Sequence, residues 1–141
     1  MDFSDNLFHK IIQGTVPSFK VYEDDDFLVI LDRFPVHLGH CLILPKIPSV
    51  DIYDLDDRMA LGMYPLAKRI ARAVRDVTGC DGVYALQNNG KAAGQVVFYF
   101  HLHIVPCYAD ADNAHHAPRK DYPTEQFEDM ANRLSAYLRE G

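Results

Sequence analysis

Alternating side chains between Val96 and Pro106 constrain the fold of this chain more than any other sequence feature. Side chains on a β-strand point to opposite faces with a period of two. One face of such a strand carries Val97, Tyr99, His101, His103 and Val105. The other face is uniformly apolar and is expected to be buried, and it carries Phe98, Phe100, Leu102 and Ile104. The pattern predicts a half-buried strand that presents two neighbouring histidines and a tyrosine.

A loop with two glycines, Gly90 and Gly94, precedes this strand and ends at Gln95. Glycine allows backbone N–H groups to approach an anion closely. A neutral imidazole is available near pH 7, and its nitrogen can attack phosphorus and later leave. Two polar residues on a solvent-facing strand, or a pair of metal ligands, are the other interpretations of H-x-H. The adjacent loop favours nucleophilic attack on a phosphate.

Apolar periodicity along the rest of the chain predicts an α+β fold, in which helices pack on a mostly antiparallel sheet. The helical segments are Asn6–Gln13, much of Asp51–Thr78, and a last helix for which Thr124 can be the cap. Pro65 lies inside the second pattern and is expected to kink or divide that helix. The other predicted strands are Phe19–Glu23, Phe27–Leu31, Cys41–Leu44 and Val83–Leu86, and Ala109–Pro123 is expected to be irregular.

Length and charge limit the classes of function. The 141 residues predict a single domain spanning 1–141, and the formal charge of −6 argues against nucleic-acid partners and anionic membranes. No apolar run approaches the ~20 residues of a membrane span. The amino terminus lacks the apolar core of a signal peptide. Three scattered cysteines are typical of free thiols in a reducing compartment, so a cytoplasmic location is expected.

The stretch from Asn88 to Pro106 resembles the active strand of the histidine triad (HIT) superfamily. That strand follows the pattern N…G-Q-x-φ-x-H-x-H-x-H-φ-φ-P, where φ is apolar. The three histidines of the pattern fall on Tyr99, His101 and His103, so the first is replaced by tyrosine. The resemblance implies a five-stranded antiparallel sheet with two main helices, assembled as a homodimer.

The resemblance also implies roles for the motif residues. His101 corresponds to the nucleophile that forms a covalent nucleotidyl-imidazole, and His103 to a supporting histidine. Tyr99 can supply a hydroxyl in place of the first histidine or lower the rate. The α-phosphate is expected to contact Gly94, Gln95, Val96 and Val97, and Asn88 is expected to order the loop. Asn88 considered alone is equally typical of an ordinary turn.

Residues upstream of the motif match the nucleoside-binding positions of the family. Asp32 corresponds to the aspartate that accepts hydrogen bonds from both ribose hydroxyls, although its place after a strand also suits a turn or cap. The base pocket corresponds to Leu7, Phe8, Ile11, Ile30, Leu31 and Arg33. Arg33 departs from the usual apolar residue and can alter base preference. His40 matches a histidine behind the active site and is expected to be structural.

Many members of the superfamily bind a structural zinc, but this chain lacks the ligand set. The corresponding positions are Asn6, His9, Pro48 and Tyr99, of which only His9 is a good ligand. Tetrahedral zinc needs four. We therefore expect no metal and no cofactor, and we connect Tyr99 with loss of the metal rather than of catalysis. The His115-His116 pair is a weak metal signal.

The expected function is hydrolysis or transfer at the α-phosphate of a nucleoside 5′-phosphate, with a purine as the expected base. Phosphoramidates and dinucleoside polyphosphates both remain open as substrates. The alternative is a nucleotide-binding regulatory protein with little or no catalysis, which Tyr99 alone supports. A metal-binding module is disfavoured by the missing ligands.

Overall fold

Five strands form one antiparallel sheet in the computed structural model, which describes residues 2–140. The strands are β1 (Lys20–Glu23), β2 (Phe27–Leu31), β3 (Cys41–Pro45), β4 (Gly82–Leu86) and β5 (Leu102–Cys107). Their order in the sheet is β1-β2-β3-β5-β4. The helices are α1 (Leu7–Gln13), α2 (Asp57–Thr78) and α3 (Thr124–Glu140), with a short 3₁₀ turn at Lys91–Ala93. The predicted α+β class and five-stranded sheet are confirmed.

Local sequence signals fix the ends of the first two helices. The Asn6 side chain accepts from the Phe8 and His9 amides at the start of α1. Gly79 ends α2 with a left-handed φ of 69°. The sequence predicts that Pro65 kinks or divides the second helix, and division is wrong, because α2 runs without a break from Asp57 to Thr78. The apolar face of α2 is buried on the sheet, whereas Pro65 itself is exposed.

The main core lies between one face of the sheet and helices α2 and α3. Phe100, Leu102 and Ile104 contribute to it, as the alternation predicts. Phe98 does not, since it is 44% exposed. The reason is that β5 begins only at Leu102, and the Phe100 amide donates to the Ser49 carbonyl at 2.7 Å instead of to a neighbouring strand. The observed strand therefore begins later in the chain than the alternating pattern predicts.

A second, smaller core on the opposite face positions the histidines. It contains Phe8 of α1 together with Leu28, Ile30, Leu42, Leu44 and Tyr99. In this part of the sheet His103 is paired with Leu42 of β3 on one side and Leu86 of β4 on the other. The imidazoles of His101 and His103 consequently lie beside α1, on the face away from the two long helices. Within residues 2–140 we find no helix with the length and apolarity to cross a membrane.

The structure changes the reason for expecting a homodimer. The sheet face and the apolar side of α2 cover each other within one chain, so neither needs a second subunit. Two large apolar side chains on the first half of α2 remain exposed instead, Leu61 at 79% and Tyr64 at 67%. Residues three apart are neighbours on a helix surface. We propose that this part of α2 contacts a second copy of the chain.

The homodimer can be tested by light scattering at micromolar concentration. The wild-type protein should have twice the mass of one chain, and Leu61→Glu should shift it toward the monomer because a charge would be buried in the interface. Asn132→Glu on α3 is the matched control, since it places the same charge at another exposed helical position. A monomeric wild type would contradict the proposal.

Candidate functional site

A cavity of about 380 Å³ opens beside α1 and the two histidines, a volume that suits a small ligand. Most of the residues predicted from the sequence line it: Leu7, Phe8, Ile11, Ile30, Leu31, Asp32, Arg33, Asn88, Gly94, Val96, Val97, His101 and His103. The structure adds lining residues that the sequence did not indicate: Pro17, Ser18, Phe19, Phe34, Leu42, His115 and Arg119. The lining therefore combines apolar side chains with the histidines, Asn88 and Arg119.

A backbone carbonyl fixes the tautomer of His101. Its Nδ1 lies 2.6 Å from the carbonyl oxygen of Tyr99. A carbonyl only accepts, so Nδ1 must carry the proton and donate it. The other ring nitrogen, Nε2, then holds a lone pair. Because the ring packs edge-on against Phe8 at 4.8 Å between centroids, the imidazole is also restrained in orientation. The arrangement gives His101 a nucleophilic nitrogen.

A second chain of hydrogen bonds fixes His40 and His103. The Val36 amide donates to Nδ1 of His40 at 3.1 Å, so the proton of His40 is on Nε2. That nitrogen lies 2.9 Å from Nδ1 of His103 and must donate to it. His103 therefore carries its own proton on Nε2. His40 is fully buried and does not line the cavity, and its contacts agree with the structural role predicted for it.

Burial keeps these imidazoles neutral at pH 7. It lowers the pKa of His101 below the ordinary 6.5, and the hydrogen bond to the Tyr99 carbonyl partly opposes the change. The pKa of His40 is lowered well below 6.5, again mainly by burial. Burial also lowers the pKa of His103, with the neighbouring imidazoles adding to the effect. At pH 7 the rings are thus neutral, and each has one N–H donor and one nitrogen with a lone pair.

The loop before β5 leaves the backbone N–H groups of Val96 and Val97 without a protein acceptor at the cavity, among the residues that the structure describes, whereas those of Gly94 and Gln95 donate to the Lys91 and Gly90 carbonyls. Gly90 and Gly94 have left-handed φ values of 89° and 92°, which glycine adopts without strain. The side-chain Nδ2 of Asn88 donates to the Ala93 carbonyl at 2.7 Å. A Cβ on Gly94 would lie 3.2 Å from that Nδ2, so the turn also needs a small residue. The Asn88 side chain thus bridges the two ends of the loop.

Gln95 is positioned differently from the other predicted residues. It is 3% exposed and does not line the cavity. Its Oε1 accepts from the Gly90 amide at 2.7 Å, and its Nε2 donates to the carbonyls of Val50 and Val97. Both ends of the side chain are therefore used to brace the loop, and its effect on a ligand is through the loop backbone.

Tyr99 likewise lies behind the cavity and does not line it. Its ring is fully buried and contacts Phe3 edge-on at 5.6 Å, and its hydroxyl donates to the Pro45 carbonyl at 2.5 Å. The hydroxyl consequently does not point to the ligand in place of a histidine. Tyr99 instead holds the backbone whose carbonyl fixes His101.

Asp32 follows β2 and lines the cavity, and its two carboxylate oxygens have different partners. Oδ1 accepts from the Phe34 amide at 2.9 Å, and Oδ2 lies 3.3 Å from Nη1 of Arg119 and 3.5 Å from Nε2 of His40. Burial raises the pKa of Asp32 above its ordinary 3.8, while the Phe34 N–H and Arg119 act in the opposite direction. These contacts fix the carboxylate in the cavity lining.

Arg33 turns its charge toward the carboxyl-terminal helix. Its Nη1 lies 2.9 Å from an Asp121 oxygen, and its guanidinium stacks 5.0 Å from the centre of the Phe127 ring. These contacts explain how a cation is accommodated at a position where the base pocket would be apolar.

Three imidazoles, those of His40, His103 and His115, have ligand atoms within 4.8 Å of one another. Three such nitrogens can in principle hold a transition metal. Two hydrogen bonds oppose this here, because Val36 occupies Nδ1 of His40 and the proton on its Nε2 is donated to His103. A cation would have to break both bonds in a fully buried position. The cluster suits a hydrogen-bonded set of rings better than a metal centre.

His115 and Arg119 belong to the segment that the sequence predicted to be irregular. The His115 ring lies 4.4 Å from that of His103, and Arg119 contacts both His115 and Asp32. The sequence gives little sign of the two longer-range contacts, because Asp32 lies 87 positions from Arg119 and His103 lies on the strand that precedes this segment. The adjacent histidines at 115 and 116 were the only available clue, and it suggested a metal.

The comparison with protein families gives a match to the HIT domain over residues 13–110. The chain is 38% identical over 137 residues to Protein hit of Bacillus subtilis, a match that covers 94% of this chain and 93% of that protein. It is 42% identical over 103 residues to Adenylylsulfatase HINT3 of Arabidopsis thaliana, which covers 73% of this chain and 52% of that protein.

A solved structure agrees with the whole architecture. The zinc-bound histidine triad family protein of Mycobacterium smegmatis superposes with a TM-score of 0.87 at 36% identity, covering 99% of this chain and 96% of that one. The match in fold therefore comes with a match in sequence over most of both chains. The chain belongs to the histidine triad (HIT) family.

Proposed function

We propose that the protein cleaves or transfers a nucleoside 5′-phosphate at its α-phosphate, through a covalent nucleotidyl-His101 intermediate. The observation that carries the proposal is the hydrogen bond from Nδ1 of His101 to the Tyr99 carbonyl, since it leaves Nε2 with its lone pair beside a cavity. The HIT family includes a nucleotide hydrolase among the relatives of this chain, the adenylylsulfatase of Arabidopsis thaliana. Covalent catalysis divides one difficult displacement into two easier ones.

The proposed reaction has two displacements at phosphorus. In the first, Nε2 of His101 forms a bond to the α-phosphorus, and the bond to the leaving group breaks with its electron pair on the leaving atom. In the second, water attacks, the P–N bond breaks, and the nucleoside monophosphate leaves with an oxygen from water. His103 donates its Nε2 proton as a hydrogen bond to a phosphate oxygen, and the loop amides near Gly94 neutralise the developing charge.

Different parts of the lining are assigned to the parts of a nucleotide. Apolar residues such as Leu7 and Ile30 would contact the base, for which we propose a purine. Asp32 would accept from the ribose hydroxyls, and the phosphate would lie by His101. Phosphoramidates and dinucleoside polyphosphates both meet these requirements. A binding protein without catalysis would use the same cavity, so turnover separates the two functions.

Replacing the nucleophile gives the first test. His101→Ala should lower kcat/KM at least ~10³-fold, as expected when one member of a catalytic unit is lost. Nucleotide affinity should change little because Asp32 and the loop remain. His103→Ala should be milder.

Because burial lowers the pKa of His101, the rate of the wild type should stay constant through pH 7 and decline only as more acidic solution protonates the ring.

Rapid quenching of the enzyme with substrate should reveal an acid-labile nucleotide on His101 by mass spectrometry. The His101→Ala variant is the control and should carry none. Turnover of that variant at the wild-type rate would contradict the proposed mechanism and favour the binding protein.

Asp32 gives a test of the ribose assignment. Asp32→Ala should weaken nucleoside monophosphate binding by ~1.5–3 kcal/mol, the usual worth of hydrogen bonds to a charged group. It should also abolish any preference for ribonucleotides over 2′-deoxyribonucleotides, as measured by calorimetry. Asp26→Ala, at an exposed carboxylate that pairs with Arg58, is the matched control. A preference that survives Asp32→Ala would place the ribose elsewhere.

We also propose that this member of the family holds no structural zinc. Asn6 is occupied as a helix cap and the Tyr99 hydroxyl as a donor to Pro45, so neither can complete a tetrahedral site with His9. Elemental analysis should find no stoichiometric zinc, and chelators should leave the melting temperature unchanged. One tightly bound zinc per chain would refute the proposal.

A further inference from the structure

The segment between β5 and α3 is attached to the loop that follows β2. Lys120 donates through its amide to the Pro35 carbonyl at 3.0 Å and through Nζ to the Val36 carbonyl at 2.6 Å. Arg119 donates through Nη1 to the Phe34 carbonyl at 2.7 Å. These bonds join two segments more than 80 residues apart in the chain. They place the side chains of His115 and Arg119 in the cavity wall beside the catalytic histidines.

Several partners fix the position of the Arg119 guanidinium, but one of its N–H donors remains for a ligand. Its Nε donates to the His115 carbonyl at 3.2 Å, and its Nη2 lies 3.2 Å from Nε2 of the His115 ring. Nη1 reaches Phe34 and, at a longer 3.3 Å, Asp32. A guanidinium has five N–H donors. Nη2 also lies 3.5 Å from Nδ1 of the same ring, but a neutral imidazole has only one acceptor nitrogen. Within residues 2–140 one N–H of Nη2 therefore has no acceptor.

Arg119 is also the permanent cation at the histidine end of the cavity. The other arginine in the wall, Arg33, is paired with Asp121 and packs on Phe127. The imidazole of His115 is neutral, because burial and the adjacent Arg119 lower its pKa to about 4. The ring therefore extends the row of imidazoles without competing for an anion, and the charge available to a ligand is that of the guanidinium.

We propose that Arg119, supported by His115, forms a subsite for an anionic leaving group. The preferred substrates are then nucleoside 5′-phosphates joined through oxygen to an acid, such as sulfate, phosphate or polyphosphate, and not phosphoramidates. The inference rests on the proposed function and selects among its substrates. Arg119 acts here as a specificity-determining residue, and His101 remains the nucleophile.

The chemistry of the two leaving groups gives the reason. When Nε2 of His101 bonds to phosphorus and the P–O bond breaks, the electron pair stays on the departing oxygen as an anion. A fixed cation in a partly buried site stabilises that charge. An amine must instead gain a proton as the P–N bond breaks. The imidazoles of His40, His103 and His115 are neutral, and the N–H of a neutral imidazole is a much weaker acid than that of an imidazolium. The nearby guanidinium also disfavours a leaving group that becomes positive.

Two adenylyl substrates that differ in the leaving group provide the experiment. We would measure kcat/KM for adenosine 5′-phosphosulfate and for adenosine 5′-phosphoramidate, and take their ratio for each variant. The wild type should favour the phosphosulfate. Arg119→Ala should lower the ratio at least ~10-fold, since a hydrogen bond to a charged group is lost for one substrate only. Arg119→Lys should retain more of the ratio than Arg119→Gln because it keeps the charge.

Arg58→Ala is the matched control, because it removes an exposed guanidinium that pairs with Asp26 outside the cavity wall, and it should leave the ratio unchanged. A wild type that prefers the phosphoramidate would overturn the inference. So would equal losses on both substrates in Arg119→Ala, which would show that Arg119 acts only by holding Asp32. If Arg119→Ala does not fold, equal ratios in Arg119→Lys and Arg119→Gln would overturn it. Failure of the proposed function is distinct, since the wild type would then cleave neither substrate.

Discussion

The hydrogen bond between His101 and the Tyr99 carbonyl is the interaction on which the site depends. It selects one of two tautomers and so decides which ring nitrogen has a lone pair. The carbonyl is in place because Tyr99 is buried in the small apolar core and its hydroxyl is fixed to Pro45. A residue that contacts no ligand thereby orients the nucleophile. The small core on this face of the sheet has a chemical role as well as a packing role.

Burial and hydrogen bonding act together on the neighbouring rings. A buried imidazole resists protonation because the charged form loses its hydration. His40 accepts from a backbone amide and passes its own proton toward His103, so the direction of the chain is set by Val36 and not by pH. The consequence is a set of neutral rings with defined donors and acceptors. Such a set can bind and attack a phosphate without an additional base.

The positive charge beside these neutral rings is that of Arg119, which belongs to a segment far from β2 along the chain. The residues around Arg119 are fastened to the loop after β2 by backbone and lysine contacts. Asp32 and Arg119 therefore face each other across the same end of the cavity, where a nucleotide would present hydroxyls and phosphate oxygens. In the proposed function, the stretch from Asn88 to His103 would supply the nucleophile and the phosphate contacts. The segment before α3 would supply the feature that distinguishes one leaving group from another.

The sequence alone was enough to predict the strand β2, helix α1, the end of α2 at Thr78, the glycine loop, and the common face of His101 and His103. It left the start of α2 open within Asp51–Thr78, and the structure places that start at Asp57. These features depend on alternation, capping and glycine conformation, which are local and survive in any fold of the chain. Only the tertiary structure decided that Phe98 is exposed, that Gln95 braces the loop, and that Tyr99 lies behind the cavity. It also brought Arg119 to Asp32 across 87 positions of sequence. The reason is physical: a periodic pattern specifies which face a side chain occupies, whereas its hydrogen-bond partner is set by which distant segment packs against that face.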